Sequence, residues 1–463
     1  MDSSEILNAL DPDQREVARS FGMPVAVIAG AGTGKTRTLT HRIAYGAMIG
    51  ALDPRATLAV TFTTSAAAEL RQRLESMGVQ AVQSRTFHSA ALRQARYFWP
   101  EAYGCDLPKV EERKGLLVAQ ACRKLGLKPS EMIVNEISAE ISWTKQTNVL
   151  PEEYVSLATR DKRRVHLSLD DVADAIVAYE EVKQAACVID LDDLLLCTVA
   201  LLSTNPEVAR KVRSTYRYFV FDEYQDLSPV QARLAELWVA GRNDVCVVGD
   251  PAQTIHSFAG ARSVYLENFA ASYPGALSLE LTRNYRSTEQ ILAAANTVTR
   301  SGVQLRPVRG PGAPVELAPA ANPQEESADT ASWLTSLHES GMAWEDMAVL
   351  FRTHAGAESI RQILADASIP FSYQRGDDAV ARPGVRLGTL HASKGLEWEA
   401  VALCGIHDGA LPHPLAVGDA QFAEERRLLY VGITRARSHL RISWPTRVDA
   451  RITGPSRFLA GLI

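Results

Sequence analysis

The segment Ala29-Gly-Ala-Gly-Thr-Gly-Lys35-Thr36 constrains this chain more than any other stretch. It follows the apolar run Met23–Ala29 and opens a helical stretch from Lys35, so it reads as strand, phosphate loop and helix. Glycines let backbone N–H groups turn inward onto phosphate oxygens, and the helix N-terminus adds its dipole. In this pattern Ala29, Gly30, Ala31, Gly32, Thr33 and Gly34 form the cradle, Lys35 reaches the β- and γ-phosphates, and Thr36 holds Mg²⁺. Ala29 stands where the pattern has its first glycine. A Gly-rich turn without chemistry is the alternative, and the strand and helix flanks weigh against it. The segment therefore implies nucleoside triphosphate binding.

A phosphate loop needs a partner that holds the metal and activates water. The apolar strand Tyr218–Asp222 ends in adjacent carboxylates, Asp222 and Glu223, within Phe219-Val-Phe-Asp-Glu-Tyr-Gln-Asp226. Asp222 suits the Mg²⁺ sphere, and Glu223 suits orienting and polarising the attacking water. Another apolar strand, Val245–Gly249, leads into Asp250-Pro-Ala-Gln253-Thr-Ile-His256-Ser-Phe258. Gln253 is placed to bond the γ-phosphate or the water, and His256 and Phe258 can stack on bases. Arg286 and Arg435 are candidate stabilisers of the charge that spreads over a loose phosphoryl-transfer transition state. Supplied from a second α/β domain, they would complete the site only on domain closure.

The texture between Ser89 and Asp190 differs. Strand-like runs vanish, and Glu111–Lys128, Ile133–Lys145 and Asp171–Gln184 read as helices. Lys35 and Asp222 lie 187 positions apart, so a helical insertion inside the first α/β domain is expected. A second α/β texture begins near Thr282, with strands expected at Val315–Ala318, Met347–Phe351, Val385–Leu390, Ala400–Cys404 and Leu440–Trp444. The fold class is thus α/β: two α/β lobes, the first, with the phosphate loop, at 1–88 and 190–281, its helical insertion at 89–189, the second lobe at 282–463. No apolar run approaches the roughly 20 residues that span a bilayer. The six cysteines form no C-x-x-C pair, which disfavours a zinc cluster and fits a reducing cytoplasm. Net charge is −5, and a local basic groove on an acidic protein remains compatible with nucleic acid.

Taken together, these motifs resemble the UvrD/Rep/PcrA class of superfamily 1 DNA helicases. The set runs Leu10-Asp-x-x-Gln14, the phosphate loop, Thr61-Phe-Thr-Thr, Arg85-Thr-Phe-His88, Leu191-Asp-Asp-Leu, the Asp222-Glu223 strand end, Val248-Gly-Asp-Pro-Ala-Gln253, Leu281-Thr-Arg-Asn-Tyr-Arg-Ser-Thr288, Thr389-Leu-His-Ala-Ser-Lys-Gly-Leu-Glu-Trp398 and Tyr430-Val-Gly-Ile-Thr-Arg-Ala-Arg437. It covers nearly the whole chain, and each lobe is then RecA-like. The resemblance implies that Gln14 reads adenine, that Tyr285 stacks on it, and that Arg37 and Arg42 lie near the nucleotide. Glu397 would accept the ribose hydroxyl. Phe62, Thr63, Thr86, His88, His256, Phe258, Arg352 and His391 would line a single-strand channel.

Two departures qualify the resemblance. His256, Phe258, Ala259, Ser65 and His354 stand where relatives often carry Tyr, Trp, Arg, Lys and Asn, which weakens stacking and phosphate contacts. Relatives also carry an extra helical domain before the His-Ala-Ser-Lys-Gly segment. Here only 18 positions separate Phe371 from Thr389, Gln374–Gly384 reads as a turn-rich junction, and the extra domain is expected to be missing near 374–385. The resemblance implies ATP and Mg²⁺ as cofactors, single-stranded and tailed or forked duplex DNA as partners, and 3′→5′ translocation with strand separation. The alternatives are a motor that strips proteins from single strands, and a nucleotide-switched DNA clamp. Glu223 and Arg435 argue against the clamp, which needs neither a water-activating carboxylate nor an arginine finger.

Overall fold

The computed structural model describes residues 2–374, 383–449 and 451–463. They fall into two compact units. One comprises Met1–Val27, Thr36–Val248 and His256–Leu279; the other comprises Ile28–Lys35, Gly249–Ile255 and Glu280–Ile463.

The first sheet has six strands: Val25–Ala29 (β1), Thr57–Thr61 (β2), Gln83–Thr86 (β3), Tyr218–Phe221 (β4), Val245–Gly249 (β5) and Leu277–Leu281 (β6), in the order β3-β2-β4-β5-β1-β6. β2 runs parallel to β3 and β4, and β4 runs parallel to β5. Parallel neighbours need crossovers, and Lys35–Met48 (α1), Thr64–Ser76 (α2) and Phe87–Tyr103 (α3) begin them. Thr57–Thr61 and Val245–Gly249 are buried at every position, as strands covered on both faces must be. β3 lies at the edge, where the polar sequence Gln-Ser-Arg-Thr is tolerated.

The same unit carries Lys114–Lys124 (α4), Glu131–Thr147 (α5) and Leu169–Ala186 (α6), on the three stretches expected to be helical. They share a core of their own, built on Leu117, Ile141, Tyr154, Ile176 and Tyr179. Asn148 and Cys187, both left-handed, stop α5 and α6. Buried ionic contacts tie these helices to Leu191–Thr204 (α7). Lys145 reaches Asp190 at 2.7 Å and Asp193 at 2.6 Å, and the Tyr179 hydroxyl donates to Asp190 at 2.7 Å.

In the second unit Glu316–Ala320 (β7), Met347–Phe351 (β8), Phe371–Tyr373 (β9), Val385–Thr389 (β10), Trp398–Leu403 (β11) and Ala436–Pro445 (β12) form a six-stranded sheet of order β7-β12-β11-β8-β10-β9. Its pairings are parallel throughout. Period-2 alternation divides β8 between two cores: Ala348 and Leu350 face one, Met347, Val349 and Phe351 the other. The first of these cores also takes Ala31 and Ala252 from the two short loops of this unit, and Leu428 and Leu429 from the helix Asp419–Ile433 (α8). The expected strands of both lobes all appear, with shifts of a few residues at their ends. The shortened junction expected near 374–385 falls largely on 375–382, outside the described residues.

Candidate nucleotide and nucleic-acid sites

In the first unit β4 ends at Phe221, and the chain turns sharply. Glu223 adopts φ 53° and ψ 40°, a left-handed conformation that costs a non-glycine residue about 1–2 kcal/mol. The turn is held from both sides. The Glu223 N–H donates to Asp222 Oδ1 at 2.9 Å, and Gln225 Nε2 donates to Glu223 Oε2 at 2.6 Å and to Asp226 Oδ2 at 3.1 Å. Gln225 is fully buried, so its amide has little rotational freedom and fixes the Glu223 carboxylate. Gln225 sat inside the quoted motif, yet sequence reasoning gave it no role. A buried amide two residues after a candidate base is the signal that could have found it.

The other nucleotide candidates of this unit are engaged locally. Gln14 is buried at the start of the helix Pro12–Arg19 and forms a reciprocal cap with Asp11, accepting from the Asp11 N–H at 3.3 Å. Arg37 donates to the Ala9 carbonyl. Arg42 is buried, donates to the Val17 carbonyl at 2.6 Å, and lies 4.4 Å above the Phe21 ring. Burial pulls its guanidinium below the ordinary arginine value. Thr36 and Asp222 supply hard oxygens of the kind Mg²⁺ takes. Among the described residues no group of three or more His, Cys, Asp or Glu is placed to hold a metal. An ion that completes its shell with phosphate oxygens and water needs none.

Four of the channel candidates lie at the C-terminal ends of β2 and β3 or just beyond them. Phe62 packs edge-on against Phe87 at 6.5 Å. Thr63 caps α2 by accepting from the Ala66 N–H at 3.1 Å, and Thr86 caps α3 by accepting from the Ser89 N–H at 3.1 Å. His88 has a lowered pKa, chiefly through burial, which favours a neutral imidazole. Further along, Phe258 is 55% exposed and stands edge-on to His256 at 5.8 Å. Its carbonyl accepts from Arg163 at 3.2 Å, and that guanidinium stacks 4.3 Å from Trp143.

The second unit brings the phosphate loop together with the arginines. Thr33 Oγ1 donates to the Gly30 carbonyl at 2.8 Å, and Lys35 Nζ to the Ala29 carbonyl at 3.3 Å. Asn284 Nδ2 donates to the Ala31 carbonyl at 2.6 Å, and the Tyr285 N–H to the Gly32 carbonyl at 2.9 Å. Gly32 has φ +67°, and a Cβ there would meet Asn284 Nδ2 at 2.5 Å. Only glycine suits that position.

Gln253 sits in a short turn capped by Asp250. Its amide donates to Asp250 Oδ2 at 2.8 Å, and its Oε1 accepts from Arg435 Nη2 at 3.3 Å. Arg435 is 1% exposed and also donates to the carbonyls of Val431 at 3.0 Å and Leu396 at 2.9 Å. Lys394 Nζ grips the Gln253 carbonyl at 2.7 Å, and Arg427 Nε the Thr254 carbonyl at 2.7 Å. Asn284, Lys394 and Arg427 were not singled out from the sequence, because nothing local marks a side chain that works through a distant backbone carbonyl.

Arg286 donates to the Thr434 carbonyl at 3.2 Å and pairs with Glu397. Burial lowers its pKa, and the Glu397 carboxylate works the other way. Glu397, the residue assigned to a ribose hydroxyl, thus lies on Arg286, with Arg437 at 3.8 Å. Tyr285 is 40% exposed. Arg352 forks onto Glu425, with contacts of 2.6–3.1 Å. Burial first, and the Arg352 charge second, lower the His391 pKa to about 4.

The N-terminal domain family of UvrD/REP helicases matches residues 10–274. The UvrD-like helicase C-terminal domain family matches 279–378 and 373–447. The chain is 34% identical over 579 aligned residues to the ATP-dependent DNA helicase UvrD2 of Mycobacterium tuberculosis, covering 99% of this chain and 82% of that protein. It is 32% identical over 410 residues to UvrD1 of the same organism, covering 83% of this chain and 52% of that one. To the ATP-dependent DNA helicase PcrA of Leuconostoc citreum it is 30% identical, over 81% of this chain and 51% of the relative.

Proposed function

The chain belongs to the UvrD/REP helicase family and is an ATP-hydrolysing DNA helicase, and on that footing we propose that it moves 3′→5′ on single-stranded DNA and separates only short or tailed duplexes unaided. The observation that carries the reading is the connected set Asp250–Gln253–Arg435. It presents a buried arginine through an amide that is itself held by a carboxylate. A module that only bound nucleotide would have no use for it.

In this reading the backbone of Ala29–Gly34 and the Lys35 ammonium bind the phosphates. Thr36 and Asp222 would hold Mg²⁺, whose charge would offset that of the phosphate oxygens. Glu223, steered by Gln225, accepts the proton of the attacking water. Arg286 and Arg435 stabilise the equatorial oxygens, and Gln253 reports the γ-phosphate to the backbone gripped by Lys394. Gln14, Arg37, Arg42, Tyr285 and Glu397 border the base and ribose. Phe62, Thr63, Thr86, His88, His256, Phe258, Arg352 and His391 form the single-strand path, where stacking and neutral donors give sequence tolerance.

We take 1–88 and 190–281 as the first lobe, 89–189 as its insertion and 282–463 as the second lobe, with the relatives' further insertion absent near 374–385. Two findings support that absence. The alignment with UvrD2 spans 579 positions against 463 residues, so at least 116 positions of it have no counterpart here. The C-terminal family match also breaks into two stretches that meet at 373–378. Two closing lobes suffice for stepping along a strand. Melting costs about 1.4 kcal/mol per base-pair step and gains from a grip on the duplex ahead.

The test has two stages. ATP hydrolysis should rise with single-stranded DNA and be abolished by Lys35→Ala and by Glu223→Gln, the latter sparing ATP binding. Single-turnover unwinding behind a 3′ tail should then fail as the duplex lengthens. Turnover indifferent to DNA removes the motor reading, and efficient unwinding of long duplexes by the monomer removes the limit placed on it.

A further inference from the structure

Beyond β3, at the edge of the first sheet, two adjoining hollows of ≈ 390 Å³ and ≈ 780 Å³ form one groove. Arg85 and Arg93 line both. Along the groove α3 presents Ser89, Arg93, Arg96 and Tyr97, spaced i, i+4, i+7 and i+8 and therefore on one face. Tyr97 is 75% exposed and stands edge-on to Phe98 at 4.8 Å, so most of its surface faces solvent.

The charge in this groove is unbalanced. Arg85 Nη2 and Arg93 Nη1 both donate to one neutral oxygen, Gln83 Oε1, at 3.1 and 3.3 Å. Arg85 Nε is buried with no hydrogen-bond partner. Among the described residues no carboxylate pairs with Arg71, Arg85, Arg93 or Arg96. Neighbouring cations behave otherwise: Arg73 pairs with Glu69, and Lys211 with Glu101. Glu75 is the only carboxylate that lines either hollow. Burial, followed by the charges of Arg93 and Arg71, depresses the Arg85 pKa, as expected where cations are gathered without a counter-ion. All this sits on a chain whose net charge is −5.

Two lining residues of the groove are also sequence neighbours of the proposed strand path. Arg85 immediately precedes Thr86, and Ser89 immediately follows His88. We propose that it is a further single-strand DNA subsite, with Arg85, Arg93 and Arg96 on successive phosphates and Tyr97 beneath a base. The proposal rests on the DNA-motor reading above and extends it to a surface outside the helicase motifs. An acidic peptide would use the arginines but not an open aromatic ring beside them, whereas every base has a face to stack.

The test is a length ladder of labelled deoxythymidine oligonucleotides, followed by anisotropy at several salt concentrations. Short oligonucleotides fill only the motif path, and longer ones reach the groove. In Arg93→Glu/Arg96→Glu, short-oligonucleotide affinity should match the wild type. The gain on lengthening should disappear, and the salt slope for the long oligonucleotide should fall by about 1.4, from two contacts at about 0.7 each. Tyr97→Ala, which keeps the charge, should weaken only the long oligonucleotide, about fivefold or more, without changing the slope. Unchanged long-oligonucleotide binding in both variants overturns the subsite and leaves the motor reading intact. Equal weakening of short and long oligonucleotides overturns it in favour of a general field. Loss of polyglutamate binding with long-oligonucleotide binding preserved overturns it in favour of an acidic protein partner. A wild-type protein that binds no oligonucleotide at any length removes the motor reading itself.

Discussion

Gln225→Glu isolates the chemistry assigned to Glu223. The substitution keeps size and reach but replaces the amide donor by a second carboxyl, 2.6 Å from Glu223 Oε2. Two full charges at that distance repel by about 6 kcal/mol at an effective dielectric of about 20. Holding a proton on a glutamic acid at pH 7 costs only about 3.7 kcal/mol, from its ordinary pKa of about 4.3. Repulsion is the larger quantity, so the pair retains one proton at neutral pH, and that proton is shared with the proposed base. DNA-stimulated turnover should fall by about two orders of magnitude near pH 7 and recover as pH rises toward about 9. Gln225→Leu is the control. It removes the orienting amide without adding a charge, so turnover should drop with little change in the pH profile. The assay is the pH dependence of kcat at saturating ATP and single-stranded DNA. A Gln225→Glu profile lying on the wild-type curve would refute Glu223 as the base.

Gly32→Ala should weaken ATP binding about tenfold or more, because a left-handed φ costs about 1–2 kcal/mol and the new Cβ runs into Asn284 Nδ2; a nucleotide titration checks it. Arg435→Ala should lower turnover by about three orders of magnitude, as loss of an arginine finger does, with a smaller loss of ATP affinity. It also strands the Val431 and Leu396 carbonyls, so a denaturation midpoint should fall by the equivalent of about 2–4 kcal/mol; equal losses in affinity and turnover would make Arg435 a ground-state binder. His391, held at about 4 when folded against about 6.5 unfolded, favours the folded state fully above pH 6.5 and loses that contribution as pH falls toward 4. At pH 5 the loss is about 2 kcal/mol, and His391→Asn should remove that part of the acid sensitivity in urea melts at pH 7 and pH 5.

The sequence was most legible where one local rule decides the outcome. Apolar runs that end in polar loops became the buried parallel strands, since a central strand covered on both faces has to be apolar along its length. Edge strands were less readable. Gln83–Thr86 carries almost no apolar signal because only one side of it is paired, and Leu277–Leu281 alternates apolar and polar residues, an edge pattern that a reading based on continuous apolar runs passes over. The site divides along the same line. The residues proposed to touch phosphate sit in short contiguous motifs, where spacing can single them out. Residues that hold those residues come from far along the chain. Lys394 grips Gln253 across 141 positions, and Asn284 reaches Ala31 across 253. No window on the sequence contains both ends of such a contact.

The investment in unfavourable local structure adds a separate argument for function. Glu223 holds a left-handed backbone that its side chain disfavours. Arg435 buries a guanidinium almost completely, and desolvating a charge costs several kcal/mol unless its donors are matched. Gly32 accepts contacts that exclude any side chain. None of these helps the two sheets form, since strands β4, β1 and β12 end before or begin after each of them. All three lie in loops at strand or helix ends, where a fold has freedom to choose an easier conformation. Strain that persists at such positions is held in place by its surroundings, here Gln225, the Gln253–Asp250 pair and Asn284. The supporting residues are therefore as informative about the chemistry as the motif residues. A variant that relaxes the support while leaving Asp222 and Glu223 in place should lose more turnover than its loss of stability accounts for. Gln225→Leu fits that description, because it keeps Asp222 and Glu223 and removes a buried amide that donates to the Glu223 carboxylate.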